Sequence, residues 1–420
     1  MASVEWRPTK LDELGYVGRG KSRHRPRNAA FLYGGRYPFF QTGDIKAANF
    51  YLTDYSQTYS EKGLAQSKLW NAGTLCITIA ANIAESAILG VEGCFPDSVV
   101  GFVPNADKAD VRFIKYYLEI LKIRMKNISH GATQDNLSLD KLLSFDFLVP
   151  PLPIQRRIAG ILSAYDDLIE NSQRRIKILE SMARALYREW FVHFRYPGHE
   201  SVPLVPSPLG DIPQGWEVRK LGELLSVDKG VSYNGAGLTE HGNPMVNLKN
   251  IQAGGGFRRD ATKPYSGDFK PRHTVKPGDV VLANTDLTQA GNVVTSPALI
   301  PRLGDEKPIL ISHHLYAVRP VEGIPPLFVY HLMMTEDFRG FAKGFAIGTT
   351  VLGLPKEGIL NYSFACPTPA LIRDLVARVA GIHELMEALH DRIDNLRRTR
   401  DLLLPRLLSG QIDVAALGHA

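Results

Sequence analysis

Cationic side chains are concentrated near the start of the chain, where they alternate with small and aromatic residues. Cationic groups neutralise phosphates, and an arginine can also donate two hydrogen bonds to the edge of a guanine base. This stretch, residues 18–36, is called the basic loop below. It predicts nucleic-acid binding, and a solvated loop without a ligand is the alternative interpretation. Its cationic and aromatic residues are Arg19, Lys21, Arg23, Arg25, Arg27, Phe31, Tyr33 and Arg36.

Polar residues in other predicted loops could also contact bases or phosphates. For any single one of them, ordinary turn chemistry is the competing interpretation. The predicted DNA-binding residues of the first half are Arg23, Arg25, Arg27, Tyr33, Arg36, Gln41, Thr133, Gln134 and Asn136. Those of the second half are Tyr233, Asn234, Asn247, Lys249, Asn250, Arg258, Arg259, Asn284, Thr349 and Thr350.

Residue spacings typical of catalytic sites are missing from the sequence. There is no P-loop, and the glycine run 254–256 fits a turn better than a dinucleotide-binding fingerprint. His313 and His314 fall inside a predicted strand over 309–318, where neighbouring side chains point to opposite faces. A metal shared by the two rings is therefore not expected. We predict no catalytic residue and no metal site in this chain.

Length and composition are those of an ordinary soluble protein with two or three domains. A formal net charge of +6 favours an acidic partner, although many basic proteins bind no DNA. The three cysteines have no metal-site spacing and are too few for a disulfide framework. With no signal peptide or membrane span recognisable in the sequence, we predict a cytoplasmic protein.

Two long helices are predicted from apolar residues that recur every three or four positions. The first would be roughly 55–60 Å long at about 1.5 Å per residue. So narrow a stripe on so long a helix needs a partner helix. The first stripe is Ile154, Ile158, Ile161, Tyr165, Leu168, Ser172, Ile176, Leu179, Ala183, Leu186 and Trp190. The second is Leu371, Leu375, Val379, Ile382, Met386, Leu389, Ile393, Leu396, Leu403 and Leu407, interrupted by Arg400.

The two halves of the chain repeat one another. Shifting the sequence by 217 residues aligns 131–191 with 348–408 and gives 13 identities in 61 positions. Unrelated segments would give about four. A shift of 210 aligns an earlier segment, in which Trp6 matches Trp216 and Gly20 matches Gly230. The chain is therefore a tandem duplication.

These features predict an α/β (α+β) protein of two similar domains joined by two long antiparallel helices. The helices would form a coiled-coil spacer, and the whole would have approximate two-fold symmetry, like a dumbbell. The predicted segments are a first domain over 1–149, a first long helix over 150–196, a linker over 197–213, a second domain over 214–365 and a second long helix over 366–410.

The sequence resembles the specificity subunits of type I restriction–modification systems over nearly its whole length. The most specific similarity lies in Gly131–Gln134, Pro150-Pro151, Gln155 and the long helix to Phe191. The segment from Tyr37 to Ile45 is also similar to the target-recognition domains of that family. The second copy departs from the pattern, since Ile372 stands in place of the glutamine.

The resemblance implies that each domain recognises one part of a divided, asymmetric site in double-stranded DNA. It implies that the paired helices set the number of unread base pairs between the two parts. Two modification subunits would dock on the chain and carry S-adenosylmethionine and adenine methylation. Restriction subunits would supply ATP-driven translocation and Mg²⁺-dependent cleavage, so the chain itself would need no cofactor.

Two other classes of function stay open at this point. The chain could be a stand-alone DNA-modifying enzyme with an unfamiliar motif, which activity of the purified chain with Mg²⁺ or S-adenosylmethionine would reveal. It could also be a coiled-coil scaffold with protein-binding heads. Salt-sensitive and sequence-dependent DNA binding in the presence of partner subunits would distinguish a specificity subunit from such a scaffold.

Overall fold

The computed structural model of the chain describes residues 5–130, 137–233, 235–304 and 307–414. The chain folds into two compact units. The first unit comprises Met1–Ser172 with Arg392–Ala420, and the second comprises Gln173–Asp391. The division falls inside both long helices, so each unit contains part of each helix.

In its described residues the first unit has short strands, five short or medium α-helices between them and one long helix that follows the last strand. Its strands are β1 (Arg7–Thr9), β2 (Gly15–Arg19), β3 (Tyr33–Phe39), β4 (Tyr51–Leu52), β5 (Gln57–Tyr59), β6 (Leu69–Trp70), β7 (Leu75–Thr78), β8 (Ser86–Leu89), β9 (Gly93–Cys94), β10 (Val99–Pro104) and β11 (Phe147–Val149). Its helices are α1 (Leu11–Leu14), α2 (Thr42–Ala47), α3 (Glu61–Ala65), α4 (Val111–His130), α5 (Leu139–Ser144) and the start of α6 (Leu152–Tyr187).

The second unit repeats the succession of the main strands and has additional short strands. Its strands are β12 (Leu204–Val205), β13 (Ile212–Pro213), β14 (Glu217–Lys220), β15 (Leu225–Lys229), β16 (Leu238–Val246), β17 (Lys263–Tyr265), β18 (Thr274–Val275), β19 (Val280–Ala283), β20 (Thr285–Asp286), β21 (Pro297–Leu299), β22 (Ile309–Ile311), β23 (Leu315–Pro320), β24 (Leu352–Gly353) and β25 (Ser363–Cys366). Its helices are α7 (Pro326–Met333), α8 (Glu336–Lys343), α9 (Glu357–Leu360) and the start of α10 (Pro369–Leu408).

The main sheets of the two units have the same strand order, except that the first unit has one more edge strand, β4. In the first unit the orders are β2-β10-β7-β8-β4, β5-β3-β9-β6 and β1-β11. In the second unit the corresponding orders are β15-β23-β19-β21, β17-β16-β22-β18 and β14-β25. The register agrees as well, because Arg7 pairs with Val149 and Glu217 pairs with Cys366. Those two pairs are related by the offsets of 210 and 217 found in the sequence, so the duplication extends to the hydrogen-bonding framework.

The first long helix buries or half-buries every residue of the predicted stripe except Leu168, near its middle. The helix α6 runs from Leu152 to Tyr187 and continues as a π-helical turn to Val192. Ser172 and Ile176 are buried as predicted, but Leu168 is 42 % exposed and Ile169 is buried in its place. The prediction was wrong at this position because a helix has 3.6 residues per turn, so a fixed count of three and four drifts around its axis.

The long helices run antiparallel in the first unit. Ile154, near the start of α6, lines a small cavity together with Gly410, which follows α10. Twelve residues later, Asp166 pairs with Arg400, ten residues before Gly410. In the second unit, Tyr187 near the end of α6 shares a hydrophobic core with Leu375 near the start of α10.

The interruption of the second stripe by Arg400 is explained by a buried ion pair. Asp166 and Arg400 are 14 % and 27 % exposed, and their carboxylate and guanidinium are in contact. The hydroxyl of Tyr116 on α4 donates to the second oxygen of Asp166 at 2.5 Å. Burial and then the neighbouring Asp166 carboxylate raise the pKa of Tyr116, so the phenol keeps its proton. This network ties the globular domain of the first unit to both long helices.

Replacing Asp166 by alanine should lower the free energy of unfolding by about 2 kcal/mol, since the partly buried Arg400 guanidinium would keep only Asp401 as its partner and the Tyr116 hydroxyl would lose its acceptor. Thermal or denaturant unfolding would measure the change. A matched control is Asp374→Ala on α10, which removes an exposed ion pair with Arg378 and should cost about 0.5 kcal/mol or less. Equal effects of the two variants would contradict the assignment.

The second unit has a different contact at the corresponding place. His383 follows Asp166 by the sequence offset of 217, and its Nε2 lies 3.0 Å from Nε2 of His331 on α7. Burial, followed by His383 and Arg184, lowers the pKa of His331 to about 3. Burial also lowers the pKa of His383 to about 4. At neutral pH both rings are therefore uncharged, and one donates a hydrogen bond to the other.

Gln155 anchors the start of the first long helix. Its side chain is 1 % exposed, and its amide nitrogen donates to the carbonyls of Lys108 and Pro150 at 2.9 Å each. Its amide oxygen accepts from the backbone nitrogen of Asp110, next to the start of α4. Ile372 at the matching position is buried in the apolar core of the second unit. The isoleucine in the second unit thus replaces hydrogen bonds at the start of the long helix by apolar packing.

Candidate nucleic-acid interface

The basic loop is held against the turn between β9 and β10. The backbone nitrogen of Gly20 donates to the carbonyl of Val99 at 2.9 Å, and that of Lys21 donates to Phe95 at 3.0 Å. A Cβ atom at Gly20 would lie 2.3 Å from the carbonyl oxygens of Phe95 and Pro96, so only glycine fits there. The start of the loop is therefore fixed by backbone contacts rather than by its cationic side chains.

An ion pair orders the middle of the basic loop. Arg27 donates to both carboxylate oxygens of Asp97, at 2.9 and 3.0 Å, while the hydroxyl of Tyr33 donates to the carbonyl of Arg27 at 2.7 Å. Both partners of the ion pair are about half exposed. A pair so exposed adds little stability, and its main effect is to fix the guanidinium in one direction.

The remaining predicted residues of the first unit lie on its surface. Arg23 is exposed, and Arg25 is exposed with its guanidinium bonded to the carbonyls of Ser22 and His24. Arg36 lies over the ring of its neighbour Tyr37 at 5.0 Å. Gln41 donates to Gln57 at 2.8 Å. Thr133, Gln134 and Asn136 lie outside the described residues.

Five predicted residues of the second unit are placed where a ligand could reach them. Lys249 is exposed, Tyr233 is partly exposed, and Arg258 is exposed beside Asp260 at 3.0 Å. Thr349 and Thr350 are exposed in the turn before β24, where Gln289 donates to the carbonyl of Thr349. Asn234 lies outside the described residues.

Asn247 and Asn250 are part of the internal structure of the second unit. Asn250 is fully buried, and its amide nitrogen donates to the carbonyl of Arg258 and to the hydroxyl of Thr262, at 2.8 Å each. Asn247 is 8 % exposed and caps the short turn that follows it. Side chains that are buried and hydrogen-bonded in this way do not reach a base, and no local sequence pattern indicated these partners.

Arg259 connects the second domain to the second long helix. Its guanidinium lies 2.8 Å from Glu387 and 3.3 Å from Asp391, both on α10, and the arginine side chain is 18 % exposed. These two carboxylates already neutralise the charge of Arg259, so little net positive charge remains to attract a DNA phosphate. The structure therefore favours a positioning role over DNA contact for Arg259.

Asn284 is also buried, at 2 % exposure. Its amide nitrogen donates to the carbonyl of His313 at 3.1 Å. Within the described part of the chain, its amide oxygen has no hydrogen-bond partner. A buried acceptor without a partner costs free energy, so this one needs an explanation.

Sequence reasoning missed the arrangement of His313 and His314. The two residues do not lie inside a strand, because β22 ends at Ile311 and β23 begins at Leu315. In the turn between them the two rings lie with their centroids 4.0 Å apart, so the prediction that they point to opposite faces was wrong. The predicted strand had ten residues, whereas most strands have about five or six, and this length could have indicated a turn within it.

Other reactive groups are not assembled into a site in the described ranges. Among those residues, no group of three or more histidine, cysteine, aspartate or glutamate side chains is placed to hold a metal ion. Burial raises the pKa of the Cys94 and Cys366 thiols to about 11 and also raises that of Cys76, so these thiols stay protonated. No helix within the part of the chain described here is long and apolar enough to cross a membrane.

Comparison with known proteins gives a consistent family. Residues 3–181 match the family model of the type I restriction modification DNA specificity domain. The specificity subunit of the type I restriction enzyme MjaIX of Methanocaldococcus jannaschii is 25 % identical, covering 98 % of this chain and 95 % of its own. The MjaVIII specificity subunit of the same organism is 23 % identical, covering 91 % and 88 %.

A relative from another organism and a solved structure extend the comparison. The HindI specificity subunit of Haemophilus influenzae is 22 % identical over 95 % of this chain and 98 % of its own. The crystal structure of a type I restriction–modification S subunit from M. genitalium superposes with a TM-score of 0.54 at 14 % identity, and 97 % of each chain is covered. That structural likeness shows a shared fold.

Proposed function

We propose that the chain is a specificity subunit of a type I restriction–modification system and that each of its two units recognises one part of a divided, asymmetric DNA site. The observation that carries the proposal is the repeated framework with different loops. Apart from the edge strand β4, the main sheets have the same strand order, and the register of β1 with β11 matches that of β14 with β25, whereas the residues of the loops differ. Two equivalent frameworks with different loop residues are what recognition of two different sequences requires.

The basic loop of the first unit suits the electrostatic part of this function. Arg23 and Arg36 are exposed, and Arg27 is held in place by Asp97. Phosphate contacts from such residues position a protein on the duplex, and contacts to base edges specify the sequence. We assign Arg23 to a contact with a DNA phosphate. Contacts with base edges are assigned to residues whose side chains are held in one orientation by the protein.

We further propose that the long helices set the separation of the two half-sites and dock two modification subunits. Apolar side chains exposed on both helices support the docking, since such side chains are common in protein interfaces. They are Ile178, Met182, Leu385 and Leu402. S-adenosylmethionine would be bound by the modification subunits, and ATP and Mg²⁺ by restriction subunits. The complex would act in the cytoplasm, and this chain would contribute no catalytic group.

The proposal is tested by DNA binding of the chain assembled with its modification subunits. Single-molecule sequencing of methylated host DNA first identifies the site. A duplex with that site should bind about 10³-fold or more tightly than a scrambled duplex at physiological salt. A failure to prefer any duplex would contradict the proposal, as would methyl transfer by the purified chain alone with S-adenosylmethionine.

The variant Arg23→Ala should weaken binding to the cognate and the scrambled duplex by similar factors. Removing one phosphate contact should also reduce the slope of log affinity against log salt by about 1. Arg7→Ala is the matched control, because Arg7 is an exposed arginine paired with Glu5 outside the basic loop. The same loss of slope in both variants would argue against a phosphate contact at Arg23.

A further inference from the structure

The turn between β22 and β23 in the second unit is equivalent to the turn between β9 and β10 in the first. In the second unit, the backbone nitrogen of Gly230 donates to Leu315 and that of Val231 donates to Ile311. In the first unit, Gly20 and Lys21 make the same two bonds to Val99 and Phe95. A Cβ atom at Gly230 would again lie 2.3 Å from a carbonyl oxygen, that of Ile311. The two turns therefore occupy the same framework position, 312–314 in one unit and 96–98 in the other.

The side chains on these two turns differ in kind. The first turn presents Asp97, whose carboxylate is occupied by Arg27 of the basic loop. The second turn presents His313 at the equivalent place, followed by His314. The ring of His313 lies 4.0 Å from that of His314 and 6.0 Å from that of Tyr233, centroid to centroid. An ion pair in one unit is thus replaced by three stacked or edge-packed rings in the other.

Polar atoms without partners surround the second turn. In the described part of the chain, hydrogen-bond partners are lacking for buried side-chain atoms of Asn284, Thr295, Ser312 and His313. Asn284, Thr295 and Ser312 are at most 2 % exposed. Backbone bonds place Asn284 next to His314, just as they place Ile79 next to Ser98 in the first unit.

Three of the four corresponding positions in the first unit are apolar, namely Ile79, Ala84 and Pro96, and the fourth is Asp97. Ala84 corresponds to Thr295, because each has a positive φ and donates its backbone nitrogen to the last residue of the preceding strand. Pro96 corresponds to Ser312, and neither Ala84 nor Pro96 carries a side-chain donor or acceptor. The unpaired polar atoms are therefore a property of the second unit and not of the shared framework.

The chemistry of the rings suits base edges better than phosphates. Burial lowers the pKa of both His313 and His314, and Lys229 adds to the effect, so both rings are neutral at pH 7. A neutral imidazole has one donor and one acceptor, as base edges do, and has no charge to attract a phosphate. Thr285 fixes the ring of His314, since its hydroxyl lies 2.9 Å from Nδ1.

We propose that His313 and His314, together with Tyr233, form a site in the second unit that contacts base edges and determines the specificity for one half-site. This inference rests on the proposed function and makes it specific. The same framework position would bring an arginine–aspartate pair to the DNA in the first unit and neutral aromatic rings in the second. The difference at one position would then contribute to the asymmetry of the whole DNA site.

The test uses the chain assembled with its modification subunits and three duplexes: the cognate site, a site altered only in the half-site of the second unit, and a site altered only in that of the first. In the variants His313→Ala and His314→Ala, the preference for the cognate duplex over the second-unit alteration should fall at least tenfold. The preference over the first-unit alteration should stay as in the wild type. His199→Ala, a histidine outside the site, is the matched control.

The variant His313→Asp introduces the aspartate that the first unit has at the equivalent position. Because the shared framework already accommodates that residue, this variant tests the site with little risk of unfolding the domain. Retention of the wild-type preference by all three variants at the site would overturn the inference, as would equal losses against both altered duplexes. If the wild-type complex itself prefers no duplex, the proposed function fails instead. The two failures are therefore distinguishable.

Discussion

Replacing residues 1–149 by the corresponding domain of another specificity subunit will change one half of the methylated DNA site and leave the other half unchanged. Each unit has its own sheets and hydrophobic cores, so the recognition surface of the second unit does not depend on the first domain. Loss of a specific half-site removes most of a preference that is typically about 10³-fold or more. Single-molecule sequencing of DNA methylated by the hybrid complex measures the new site.

The structure shows what the replacement domain must preserve. Tyr116 contacts Asp166, and Asp110 contacts Gln155, so both contacts cross the junction at residue 149. A donor domain with a tyrosine and an equivalent helix start at these places should keep the unit folded. Exchange of residues 214–365 is the reciprocal experiment and should change only the other half-site. A change in both half-sites after either exchange would contradict separate recognition by the two units.

Inserting four residues into each long helix should move the two half-sites apart by roughly one or two base pairs. Four residues lengthen a helix by roughly 6 Å, and one base pair spans about 3.4 Å. Methylation of the original sites should be lost and should appear at sites with the same two half-sites and a wider gap. Single-molecule sequencing again provides the measurement.

The boundaries of the two units identify where the insertions should be made. The division between the two units falls after Ser172 in α6 and after Asp391 in α10. Insertions at these two points leave the pairing of the helices within each unit as it is. Four residues inserted into the turn 207–210, between β12 and β13, form the matched control and should not alter the gap. An active complex with helix insertions that still methylates sites with the original gap would show that the helices do not set the spacing.

The duplicated framework and the two long helices could be predicted from local sequence patterns. Apolar residues every three or four positions are a local property of a helix, so the stripe around Ile158 and Ile176 was visible without any tertiary information. Repetition is also visible locally, and the offsets of 210 and 217 reappear as the register of β1 with β11 and of β14 with β25. The family resemblance followed from those same segments.

The roles of individual polar residues, by contrast, depend on contacts between distant parts of the chain. Arg400 interrupts an apolar stripe because Asp166, 234 residues away in the sequence, meets it inside the first unit. Arg259 and Asn250 carry side chains suited to DNA, yet their partners are the carboxylates of α10 and the backbone of their own domain. The neighbouring rings of His313 and His314 lie in a turn. Apolar residues on both sides of that turn made the segment resemble one continuous strand. The role of a polar side chain depends on the groups that folding brings into contact with it. Those groups come from distant parts of the chain, so no local sequence pattern predicts them.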